Sequence, residues 1–341
     1  MHVLIPFAVC RDPAAQQVLS GLRLPHLAQL LSRMSPITLD TADEDSPTLP
    51  HERALARAWG LPSGPQIPLA AWQAASTGLA ANTRAWAFIT PCHWNLGQAQ
   101  ITLDPPQVLA LSDDESRALL AAMQPYFEED GITLVYESPA RWLAHGEVFR
   151  TLATASPERV VGQGDIKPWM PAAPTLRRLQ NEMQMLLYTH PVNEARAERG
   201  AYPVNSFWVS GSGALTTPIT TNFSTEIHPF GLSLSKLGEP FDKLRANGKS
   251  LAPTLVAPFD LMHASLQQDW LTWGQAWAQL DATLCAELMR ALDQDGPPER
   301  ATLTLCGERS AQTYMAAPRS LQHRIFSIFG PKPIEIMRNQ L

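Results

Sequence analysis

Apolar positions along this chain follow two recurring spacings. Dense runs at Val3–Phe7, Ala85–Thr90, Gly131–Tyr136, Ser206–Ser210 and Ala301–Cys306 carry β-branched and aromatic side chains and predict strands. Gln98–Leu103 (QAQITL) is expected as the hairpin partner of Ala85–Thr90. Elsewhere the period is helical. Leu24, Leu27, Leu30 and Leu31 share one face of a helix over Pro25–Met34, and a second helix near His51–Trp59 is closed by Gly60 and Pro62. Ser112-Asp113-Asp114-Glu115 has the pattern of a capping box that opens a helix to Phe127. Thr175–Tyr188 is strongly amphipathic, and Gln267–Leu292 places Trp270, Trp273, Trp277, Leu280 and Leu284 at helical spacing, as a core row. Asp40–Pro50 reads as a polar, acidic loop. Strands alternating with helices predict an α/β layer fold.

Length and charge narrow the class. At 341 residues the chain is expected to hold two domains and needs no disulfide framework to bury a core. With 45% apolar and 17% charged residues it belongs with globular proteins. A net charge of −6 argues against nucleic acid as a partner, and no 18-residue apolar run suggests a membrane span. Cys10, Cys92, Cys285 and Cys306 form no CxxC pair, which fits reduced thiols in a cytoplasm. The segment His2–Cys10 has no basic leader and is interrupted by Pro6, so a buried first strand is expected there and not a signal segment.

His228–Ser250 breaks the composition. It holds Lys236, Lys243 and Lys249 in a chain where arginine dominates, and it resembles a repetitive element found translated inside unrelated bacterial proteins. It is expected to be an inserted surface loop with no part in the chemistry, a kind of insertion with a small entropic cost.

No phosphate-binding glycine loop, HExxH or GxSxG motif is present. Gly211-Ser212-Gly213 reads either as a backbone anion cradle or as a tight turn after a strand. The densest polar constellation is His190, Asn193, Arg196, Arg199 and Asn205. Such donors orient an anionic ligand, and they equally cap a helix and pin a loop. Asp40, Asp43, Glu44 and Asp45, with Ser46 and Thr48 beside them, offer hard-metal ligands or a solvated acidic loop. His26, His51, His93 and His263 are scattered and expected to be structural.

Thr175–Ala214 then supplies a resemblance. His190, Pro191, Val192, Asn193, Arg196, Gly200, Pro203, Asn205, Trp208, Gly211 and Gly213 match a segment of archaeal-type 2,3-bisphosphoglycerate-independent phosphoglycerate mutases, members of the alkaline phosphatase superfamily. Weaker similarities extend through Leu24–Leu31, Ala85–Thr90, Ser138–Leu143 (with Arg141), Thr154–Gly162 and Thr304–Ala311. The resemblance implies an alkaline-phosphatase-like three-layer core with an inserted, smaller α+β cap: core at 1–82, cap at 83–160, core again at 161–341. It implies ligand contacts from His190, Asn193, Arg196, Asn205, Trp208 and Arg141, and a nucleophile near Thr48.

The family's two-metal site does not carry over. Pro6-Phe7-Ala8 stands where the resemblance expects Asp-Gly, Thr48-Leu49-Pro50-His51 where it expects the nucleophile motif, and Glu308-Arg309 where it expects a ligand pair. No metal ligand is therefore assigned. The chain also resembles a proteobacterial family of regulatory proteins of a pathogenicity-factor gene cluster. The expectation is a cytoplasmic regulatory or ligand-binding pseudoenzyme whose partner is a phosphorylated or carboxylated metabolite or a protein. The alternatives are an active mutase or phosphatase, using manganese or zinc with Asp40, Asp43, Asp45, His51 and Thr48, and a purely structural interaction protein.

Overall fold

The computed structural model describes residues 1–79, 83–216, 255–293 and 301–316. The insertion expected at 228–250 lies outside the described residues. The chain is α/β and divides into two compact units. One comprises Met1–Glu44, Leu49–Ala58 and the described residues beyond Thr221; the other comprises Asp45–Thr48 and Trp59–Thr220. The second unit holds all of 83–160 together with residues on either side of that range. β3 (Ala85–Cys92) bonds on one side to a strand inside that range and on the other to a strand at 206–214. Among the described residues, no helix is long and apolar enough to cross a membrane.

In the first unit, β1 (His2–Ile5) lies between two parallel neighbours and is buried along almost all of its length, which explains its unbroken apolar run. Two helices follow. Asp12 caps α1 (Pro13–Gly21) by accepting from Ala14 N–H at 2.7 Å. α2 (Pro25–Arg33) has no side-chain cap from its own N-cap residue. Beyond it, β2 (Met34–Thr41) is a strand that the sequence reading does not anticipate. It is the sheet's edge and largely solvent-exposed: Ile37 and Leu39 alternate with Thr38 and Asp40, but the run is short, follows Pro36 and leaves its apolar side chains exposed, so it marks no core face. α3 (Pro50–Ala58) completes the N-terminal part of this unit.

The second unit opens with α4 (Leu69–Ser76), then β3, which is buried throughout. β4 (Trp94–Leu96) and β5 (Ile101–Leu103) form their own two-stranded ribbon. This corrects the expected pairing of Gln98–Leu103 with β3: the chain turns at Gly97–Gln100, whose ends bond at 2.9 Å, so β5 returns onto β4. α5 (Asp113–Glu129) begins with the expected capping box, with Ser112 and Glu115 bonding each other's backbone at 3.2 and 3.0 Å. The sheet order is β6 (Thr133–Ser138), β7 (Arg141–His145), β3, β8 (Ser206–Ala214), with all pairs antiparallel. α6 (Pro157–Val160), α7 (Pro174–Tyr188) and α8 (Pro191–Glu198) connect β7 to β8.

Back in the first unit, β9 (Leu255–Val256) and α9 (Asp260–Leu266) precede one long helical run. Its parts are α10 (Trp270–Leu280), a π turn at Asp281–Cys285 and α11 (Ala286–Asp293). Asp281, at the π turn, is buried and supplies the cap that α2 lacks. Its carboxylate accepts from Leu27 N–H at 2.7 Å and His26 N–H at 3.3 Å, and lies 3.0 Å from His26 Nδ1. The buried row of Trp273 and Trp277 donates its indole N–H groups to Phe7 O and Ala8 O, both at 3.1 Å. β10 (Thr302–Cys306) and β11 (Ser310–Ala316) finish the sheet, in the order β2-β11-β10-β1-β9. β11 is antiparallel to both of its neighbours, so β2, β10, β1 and β9 all point the same way and their carboxyl ends share one edge.

Gly211-Ser212-Gly213 lies inside β8, not in a turn after it, which removes the turn reading of that tripeptide. Gly211 has φ +59°, and a Cβ there would stand 2.8 Å from Phe88 Cδ2. Gly211→Ala is expected to lower the unfolding free energy by about 2–4 kcal/mol, from left-handed strain plus overpacking, as read in urea melts.

Candidate functional site

The polar constellation at 190–205 folds onto its own backbone. His190 caps α8: its Nδ1 accepts from Val192 N–H at 3.2 Å. Burial holds the His190 imidazole below its ordinary pKa, with Glu194 opposing, and the acceptor role requires the neutral ring. Asn193, one turn into α8, donates to Leu187 O at 2.8 Å and Val204 O at 2.7 Å and accepts from Val204 N–H at 2.9 Å. It thus ties the end of α7 to the strand approach of β8. Arg196 has no exposed surface. Its guanidinium donates to Tyr202 O at 2.7 Å, to Glu115 at 3.0 Å and to Leu109 O. Glu115 is the capping-box glutamate of α5 and also pairs with Arg199. Burial alone would raise its pKa, but the Ser112 N–H and the two arginines bring it down to about 2.

The remaining expected ligand residues are equally committed. Asn205 clasps Trp94, accepting from its N–H at 2.7 Å and donating to its carbonyl at 2.8 Å. Trp208 is buried and donates through Nε1 to Ala155 O at 2.8 Å. Arg141 donates to Glu137 at 2.6 Å and covers the Phe88 ring at 4.6 Å. Nearby, Thr154 and Ser212 bond each other through their hydroxyls at 2.9 Å. The segment is thus an interlock of helix end, loop and strand. Thr48 is buried, with Oγ1 3.4 Å from Gly64 O and 3.5 Å from Ser46 Oγ.

In the first unit, the carboxyl-end edge of the parallel strands is where open α/β sheets bind ligands. Phe7 follows β1 and Phe259 follows β9. The His51 ring of α3 packs against both, at centroid separations of 5.9 and 6.0 Å. His51 is buried and its Nδ1 has no hydrogen-bond partner among the described residues. Burial, with Arg53 adding, pushes its pKa down to about 3. Phe7 itself has φ +52°, a left-handed backbone that costs a phenylalanine about 1–3 kcal/mol. Ala8 N–H bonding Cys306 O at 2.7 Å and the Trp273 indole on Phe7 O hold it there.

Beside them, Asp40 at the end of β2 is clamped by Arg53 at 2.9 Å and Arg57 at 2.5 Å. Glu44 pairs with Arg309. Asp43, Glu44 and Asp45 are exposed. Among the described residues no group of three or more His, Cys, Asp or Glu side chains is placed to hold a metal ion. All four cysteines are buried and free, and burial raises every one of their pKa values, Cys10 to about 12. Sequence reasoning misses the Phe7–His51–Phe259 contact because its members come from three separate elements. The local sign in the sequence is Pro6-Phe7-Ala8 standing where the resemblance expects Asp-Gly.

No protein-family model matches the sequence, and no curated protein matches it. Among solved structures, a Pyrococcus horikoshii protein aligns with a TM-score of 0.46 and 11% identity, covering 93% of this chain and 87% of its own. A cofactor-independent phosphoglycerate mutase from Thermoplasma acidophilum aligns with a TM-score of 0.35 and 12% identity, covering 92% and 89%. At these values neither likeness bears on activity.

Two outcomes follow from the geometry. Asn193→Ala strands three backbone groups and is expected to lower stability by about 2–4 kcal/mol in urea melts; an unchanged midpoint contradicts the interlock. The second concerns acid. His2, whose Nε2 lies 2.8 Å from Thr304 Oγ1, is pushed down to about 4 by burial and the nearby N-terminus, and His51 to about 3. Both values lie below the 6.5 of the unfolded chain. The unfolded state therefore binds more protons between them, and stability is lost as pH falls from 6.5 towards each folded value, by about 1.4 kcal/mol per pH unit per proton. His51→Phe is expected to keep the fold and remove one proton from that slope, measured by urea midpoints from pH 4 to 8.

Proposed function

We propose that this chain is a non-catalytic, cytoplasmic regulatory protein on a phosphoglycerate-mutase-like scaffold, a pseudoenzyme that acts by binding a protein partner. One observation carries the reading: the carboxyl ends of β1 and β9 are filled by the packed rings of Phe7, His51 and Phe259. Two-metal phosphoryl transfer needs carboxylate and imidazole donors at such a place to hold the cations and activate a nucleophile. Pro6, Phe7 and Ala8 bring no donor side chain to it. The carboxylate of Asp40 is already neutralised by two arginines. These residues do not fit a divalent cation.

The second unit disfavours a phosphorylated or carboxylated metabolite at its polar segment. There Asn193, Arg196 and Asn205 direct their donors to the chain's own groups, so an anionic ligand would have to displace buried hydrogen bonds.

The test starts with metal content after incubation with manganese or zinc and desalting, alongside 3-phosphoglycerate turnover. No retained metal and no turnover are expected. Retention of about two ions per chain, as a two-metal site requires, with turnover abolished by Thr48→Ala, overturns the proposal. A thermal-shift screen of phosphorylated and carboxylated metabolites is expected to show no shift. A saturable shift would replace the protein partner with a small ligand.

A further inference from the structure

No further inference is drawn: the strongest candidate, the exposed apolar stretch around Ile37 and Leu39 on the edge strand β2, carries nothing because nothing among the described residues shows what covers it.

Discussion

Burying a polar or charged side chain carries a requirement for hydrogen bonds inside the protein, and in each unit one buried group that meets it ties distant segments together. Arg196 meets it most completely. With no surface exposed, its guanidinium reaches the Tyr202 and Leu109 carbonyls and the Glu115 carboxylate. Those bonds fix the loop before β8, the approach to α5 and the α5 N-terminus relative to one another. Asp281 plays the same part in the first unit, where a π turn brings its carboxylate onto the bare end of α2. In each case the polar group orders segments far apart in sequence, and the bonds among them are strong because water is absent.

The same requirement governs what these residues offer to other molecules. An asparagine whose amide hydrogens both reach backbone carbonyls has none left for a ligand, and Asn193 is in that state. At the carboxyl-end edge of the first sheet the requirement goes unmet, among the described residues, at one atom, the buried Nδ1 of His51. Phe7 and Phe259 close over His51, and the histidine stays neutral because charging it there would need solvent it does not have. Phe7 stays in a backbone conformation suited to glycine because its carbonyl and its neighbour's N–H are both bonded.

Where the signal was local, the sequence alone determined the outcome. The apolar runs at Val3–Phe7, Ala85–Thr90 and Ala301–Cys306 became strands, the Ser112–Glu115 box opened α5, and the tryptophan row supplied core. These depend on neighbours two to four residues away, which periodicity and capping patterns record. The Asp12-Pro13 start of α1 carried such a signal too, and the sequence reading passed over it. Only the tertiary structure decided that Met34–Thr41 is a strand, that β8 continues through Gly211 and Gly213, and that Asn193, Arg196 and Asn205 face the chain itself. The short alternation at Ile37–Asp40 follows Pro36 and leaves its apolar residues exposed, so it points to no core face. An arginine whose partners lie 81 and 87 residues away has nothing in its local sequence to say whether it will meet a ligand or a carbonyl.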